Sequence, residues 1–248
     1  MDFFLKKINE LKDNFLYRQL KISDNIGKNI VRQNEKDYIS FSSNDYLGLS
    51  QNKEVKKAAK NAIDSYGFGA TGSRYISGNN SLNKKLETKI SQLKNAEDAI
   101  IFGSGYLSGI SVIAALVKKD GLIVADKLIH SCLIDGAKLS GAKMLRFKHN
   151  DIDHAKEILE KQRSKYAKCL IITETVFSMD GDLGKIDDLL SLAKKYDSLM
   201  ISDDAHGLGV VKNSYDRKKY QEIYLQMGTF SKAVGGYGGY VCASSLLI

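Results

Sequence analysis

An apolar run from Leu199 to Ser202 ends in Asp203-Asp204-Ala205-His206 before Gly207. Lys232 stands 26 residues beyond His206, closing Gly228-Thr229-Phe230-Ser231-Lys232 and preceding Gly235-Gly236-Tyr237-Gly238-Gly239. A lysine bracketed by small residues differs from the Lys-dense helical surface elsewhere, although alone it would read as a surface residue. Taken together, an Asp-x-x-His strand end and a Thr-x-x-Lys loop supply what pyridoxal phosphate requires. These are an amine for its carbonyl, a carboxylate for its ring nitrogen and a cradle for its phosphate.

Other groups allow other chemistry. Gly103-Ser104-Gly105-Tyr106 follows a strand and opens a helix, where free N–H groups and the positive end of the dipole suit an anion; an ordinary β-to-α turn looks the same. Asp203, Asp204 and His206 could ligate a metal, but His149 and His154 lie in a helix-start region with no spacing that completes a site. Gly67-Phe68-Gly69-Ala70-Thr71-Gly72 satisfies G-x-G-x-x-G, the pattern of a nucleotide-dependent oxidoreductase. It follows a helical segment and leads into a loop, the wrong context for a dinucleotide fingerprint.

The elements that must hold these groups follow from periodicity. Helical spacing runs through Phe3–Leu20, Val55–Tyr66 and Leu82–Leu93, the last with Ser81 as the expected N-cap. A β-like run covers Tyr38–Ser42. Apolar runs Ala99–Phe102, Leu122–Ala125, Lys143–Phe147, Cys169–Thr173 and Leu199–Ser202 then alternate with helical stretches Gly105–Val117, Ser131–Leu139, Ile152–Gln162 and Ile186–Lys195. Such alternation predicts an α/β fold, a mostly parallel sheet with helices on both faces and its chemistry at the strands' carboxyl ends. The expected division is an N-terminal segment, 1–45, and a large domain, 46–248.

Composition narrows the classes. The 248 residues are 43% hydrophobic and 27% charged, enough for a buried core, and no apolar run approaches a membrane span. The net charge of +8 comes mainly from lysines spread along the chain, without the basic stripe and interleaved aromatics of a nucleic-acid binder. A phosphorylated cofactor or an anionic thioester fits that charge equally well. Cys132, Cys169 and Cys242 are far apart and lack C-x-x-C spacing, and Met1–Lys21 lacks a signal-peptide pattern. A cytoplasmic protein with reduced cysteines is expected. Proline is absent, so Gly and Asn must supply the turns.

Seven ordered blocks carry a resemblance. They are Phe41-Ser42-Ser43-Asn44-Asp45-Tyr46-Leu47-Gly48-Leu49; Gly72-Ser73-Arg74 with Ser77-Gly78; Ser104-Gly105-Tyr106; Asp126 to His130 with Leu133-Ile134-Asp135-Gly136; Val176 to Asp182; Asp203 to Gly207; and Gly228 to Lys232. From about Asp37 to the end, the sequence resembles the α-oxoamine synthases, a family of pyridoxal-phosphate enzymes. The resemblance implies transferase fold type I, as in aspartate aminotransferase, seen here as the large domain without the C-terminal small domain that closes the site.

It also implies roles. Lys232 would hold the cofactor as a Schiff base and then remove the substrate's α-proton, and Asp203 would keep the ring nitrogen protonated. His130 would stack on the ring, His206 and Ser178 would lie near its phenolic oxygen, and Thr229 with the N–H groups of Gly105 and Tyr106 would hold the phosphate. Arg18, His130 and Asn44 would touch substrate. The implied reaction is decarboxylative condensation of an amino acid with an acyl thioester. Asp-Asp-Ala-His-Gly at 203–207 and Leu-Ile-Asp-Gly at 133–136 resemble members that use L-alanine and pimeloyl thioester in biotin synthesis. Relatives that make 5-aminolevulinate or 2-amino-3-ketobutyrate, or a noncatalytic remnant, are the alternatives. Ile129 and Asn83 depart from the residues common there, Asn and His. A homodimer, poor solubility and weak turnover of the chain alone are further expectations.

Overall fold

The computed structural model describes residues 2–27, 29–211 and 221–248, and contacts divide the chain into two compact units, Met1–Ser43 and Asn44–Ile248. In the first, helix α1 (Asp2–Asp13) is shorter than its apolar spacing predicts. Phe15 takes φ of 56°, and the N–H groups of Leu16 and Tyr17 both turn back to the Leu11 carbonyl, which closes the helix. Strands β1 (Asp24–Gly27), β2 (Ile30–Gln33) and β3 (Lys36–Ile39) form an antiparallel sheet. The apolar pattern predicts one strand here, Tyr38–Ser42; β3 overlaps it only at Tyr38 and Ile39 and begins two residues earlier, and β1 and β2 carry no such pattern. Asn34 and Glu35, both at positive φ, make the tight turn between β2 and β3 without the glycine that normally signals one.

In the second unit, helices α2 (Lys53–Tyr66) and α3 (Ser81–Lys94) precede a seven-stranded sheet. The α3 cap is Asn80, one residue before the expected Ser81; its side chain accepts from the N–H groups of Leu82 at 3.0 Å and Asn83 at 3.2 Å. There follow β4 (Asp98–Phe102), α4 (Gly105–Leu116), β5 (Gly121–Asp126), α5 (Ser131–Ser140), β6 (Lys143–Phe147) and α6 (Ile152–Gln162). Then come β7 (Lys168–Glu174), α7 (Ile186–Lys195), β8 (Leu199–Asp203), β9 (Leu225–Thr229) and β10 (Gly239–Ala243). The order is β4-β10-β9-β8-β7-β5-β6; the pairs from β9 to β6 are parallel, and β10 runs antiparallel to both neighbours.

Side chains alternate between two cores, as the two-residue strand period requires. Ile123 and Ala125 of β5 pack with Ile113 of α4 and Leu133 of α5. Leu122 and Val124 pack with Leu159 of α6 and Leu189 of α7. Both faces are therefore covered, which explains why the central strands are continuously apolar instead of alternating. Each fully buried Leu or Ile contributes about 1.5–3 kcal/mol of transfer free energy. The parallel strands share one direction, so Asp126, Glu174, Asp203 and Thr229 all come to the carboxyl edge of the sheet.

Candidate active site

At that edge lies a cavity of about 220 Å³ whose lining includes Gly105, Tyr106, His130, Asp203, His206, Thr229 and Lys232. Seven of the ten sequence-predicted residues thus meet in one place. Ser178 is exposed in the turn after β7 and lies outside the lining. Asn44 is also outside it, reached through Tyr46, and Arg18 belongs to the first compact unit.

Asp203 ends β8 and is buried; one oxygen accepts the Ala205 N–H at 2.9 Å. Burial pushes its carboxyl up to about 6, against the opposing pull of that N–H and of the Lys232 charge. Glu174, which the sequence reading did not assign, ends β7 as the register partner of Asp203 and also lines the cavity. Burial, with Asp203 close by, pushes its carboxyl up to about 8. Its side chain accepts the His130 N–H at 2.6 Å. Asp203 is the carboxyl of this pair that ionises more readily, and its charge favours a cation beside it.

Lys232 supplies one amine there. Burial lowers its pKa, with Asp203 and Glu174 opposing, so it is more readily freed of its proton than a surface lysine. Its Nζ lies 2.6 Å from His206 Nε2, while His206 Nδ1 lies 2.7 Å from the Tyr46 hydroxyl. Burial and the Lys232 charge push the His206 ring down to about 4, leaving it neutral. Lys232 sits in a loop held by close backbone contact: a Cβ at Gly235, whose φ is +70°, would collide with the backbone of Leu49 and Ser50.

His130 caps α5, its Nδ1 accepting the Cys132 N–H at 3.2 Å, which leaves Nε2 as the protonated nitrogen of the neutral ring. Burial, then the Lys232 charge, lowers its pKa. Tyr106 meets this ring edge-on at 6.3 Å. The neighbouring Cys132 thiol is pushed by burial up to about 12 and is inert as a nucleophile.

One end of the cavity is the first turn of α4, where Gly105 and Tyr106 line it and the backbone N–H groups have no intrahelical acceptor. Ser104 caps it through the Leu107 N–H at 3.1 Å. Thr229 differs from its expected role in one respect: its hydroxyl donates to the Gly238 carbonyl at 2.7 Å, so it reaches an anion only by turning that proton.

Beneath the site, Lys94 of α3 and Asp204 form a fully buried ion pair at 2.8 Å, and the Thr175 hydroxyl bonds the other Asp204 oxygen. Asp204 therefore serves the scaffold and Asp203 faces the cavity. The sequence pattern did not separate the two. Nor did it foresee that His149 would bridge Asp126 at 3.0 Å and Asp182 at 2.9 Å, tying the ends of β5 and the turn after β7 together.

The chain is similar to curated 8-amino-7-oxononanoate synthases of Beijerinckia indica, 42% identical over 99% of this chain, and Granulibacter bethesdensis, 40% identical over all of it. It spans 65% of the length of each. Among solved structures, one described as SPT with PLP is 25% identical with a TM-score of 0.87 over 98% of this chain and 62% of its own. Sphingomonas wittichii serine palmitoyltransferase is 26% identical, with the same TM-score and the same coverage of both chains. The 8-amino-7-oxononanoate synthase of Francisella tularensis is 31% identical with a TM-score of 0.69 over 84% of this chain and 58% of its own. The sequence pattern of aminotransferase class I and II matches residues 36–248, the whole seven-stranded sheet with its covering helices and every cavity residue, and the chain belongs to that family.

Proposed function

We propose that this chain binds pyridoxal 5'-phosphate in the cavity and takes part in the decarboxylative condensation of L-alanine with a pimeloyl thioester. The products would be 8-amino-7-oxononanoate, carbon dioxide and free thiol. The observation that carries the reading is the convergence of Lys232, buried Asp203 and the α4 N-terminus on one cavity. The names of the relatives and the PLP in the similar solved structure support it.

The residues suit the cofactor. A Cβ at Gly105 would press on Thr229 Cβ at 3.0 Å, so the bare glycine keeps the first turn of α4 open to a phosphate. Asp203, buried beside a second carboxyl, favours a protonated ring nitrogen. When bound, pyridoxal phosphate supplies an electron sink for the pair left on the α-carbon as a proton or carbon dioxide departs.

The chain's own residues do the rest. The Lys232 amine, with its pKa lowered by burial, would hold the cofactor through its carbonyl carbon, the oxygen leaving as water, and, once freed by the substrate amine, would take the α-proton onto Nζ. His130, pinned as a helix cap, walls the cavity with a neutral ring. His206 holds the lysine's position through Nε2. Asn44 and Arg18 are proposed substrate contacts.

A second reading keeps the chemistry and changes the substrates: serine with a long acyl thioester, favoured by the TM-scores of 0.87. The test is exchange of the amino acid α-proton in deuterated water with cofactor present, then thiol release with each thioester. Exchange of L-alanine with thiol release from pimeloyl thioester is the expected result; exchange of L-serine alone would move the assignment to the second reading. No exchange of either would overturn both.

A further inference from the structure

Tyr46 lies far from the lysine loop in sequence, yet its hydroxyl meets His206 Nδ1 at 2.7 Å and Asn44 Oδ1 at 3.1 Å. A phenol has one proton and donates once. The Asn44 oxygen can only accept, so the phenol gives its proton there. Were that proton turned toward His206 instead, two oxygen lone pairs would face each other at 3.1 Å. The phenol oxygen is therefore an acceptor for His206, and Nδ1 must carry the ring proton. That leaves a lone pair on Nε2, 2.6 Å from Lys232 Nζ, which always has a proton to give.

We propose that Tyr46 is a positioning residue that fixes the tautomer of His206, with the proton on Nδ1 and the Nε2 lone pair aimed at the Lys232 amine. Every donor in the sequence Lys232, His206, Tyr46, Asn44 then points the same way. An amide oxygen does not hold a proton, so the chain of bonds ends at Asn44; it orients groups and does not conduct. Lys232, His130 and Asp203 are the charged or titratable groups around this ring, and none offers Nδ1 another partner among the described residues. The proposal rests on the reading of Lys232 as the reactive amine. Its consequence is that the amine is held by an acceptor and kept clear of a competing N–H.

The Asn44–Ser50 segment is built to hold Tyr46 in place. Asp45 accepts the Ser50 hydroxyl at 2.5 Å, and Ser50 in turn meets the lysine loop at Gly235.

The experiment uses the full chain without cofactor, labelled with 15N at histidine, and long-range proton–nitrogen correlation at pH 7.5 to read which ring nitrogen is protonated. The chain has four histidines, and H206Q identifies the signal. Wild type is expected to show Nδ1–H in excess by about fivefold to tenfold, the ratio one hydrogen bond supplies. In Tyr46→Phe that excess is lost in favour of Nε2–H. In Asn44→Ala the freed phenol proton can turn to Nδ1, and the excess falls. Wild type with Nε2–H, or a folded Y46F with an unchanged ratio, overturns the proposal. Should Y46F not fold, the wild-type ratio and N44A decide it. Cofactor attachment at a different lysine would defeat the functional reading and leave this measurement intact.

Discussion

Glu174 shows how one buried group ties the site to stability. Its folded carboxyl titrates at about 8, an unfolded one near 4.5. Between those values the folded chain holds a proton that the unfolded chain has released, so this contribution to stability falls as pH rises through the window. His206 runs the other way: neutral when folded down to about 4 but charged when unfolded below 6.5, it adds stability as pH rises between those values. E174Q keeps an oxygen for the His130 N–H and removes the first effect. Measured by urea midpoints on the cofactor-free chain, the stability of E174Q relative to wild type should grow from pH 5 to pH 8, by on the order of 1–3 kcal/mol. A difference that stays flat would mean Glu174 is ionised throughout. Nothing in the local sequence marks this residue; its signal is positional, since it ends the strand beside the one that carries Asp203. Tyr46 gave no signal either, because its contact to His206 closes across 160 positions.

At the scale of elements, the buried Lys94–Asp204 pair fixes the end of α3 against the end of β8. K94M strands the Asp204 charge in the core and should cost about 3–5 kcal/mol in denaturant unfolding. K94M/D204N removes the charge as well and should lose less. Equal losses would show that the pair acts through packing alone. The regular strand and helix alternation of this unit was legible because buried parallel strands are apolar throughout and their helices are amphipathic. What failed was local: β1 and β2 are short strands with mostly partly exposed or exposed residues, so they lack the apolar runs that mark the main sheet. The α1 terminus was misjudged because apolar spacing continues through Leu16 and Leu20 after the backbone has already turned at Phe15.

At the scale of the molecule, Phe68, Tyr75, Ile76 and Tyr237 are large apolar side chains left exposed in the second unit. Exposed apolar side chains favour association where they lie together as a patch. The purified chain should form dimers or larger species at micromolar concentration, read by light scattering; a monomer across that range would contradict this. No helix among the described residues is long and apolar enough to cross a membrane. The Asp203, His206 and Lys232 constellation was legible from sequence because each sits at or just after a strand end that the apolar pattern marks. How Lys232 is held was not, because His206, Tyr46 and Gly235 act on it through contacts the chain makes only when folded. The central claim is that this cavity is the cofactor site and Lys232 its amine. The direct test is to add pyridoxal phosphate to the purified chain, reduce with borohydride and map the modified lysine by peptide mass. Modification at Lys232, absent in K232A, is the predicted result; a folded chain modified elsewhere, or not at all, would contradict the account.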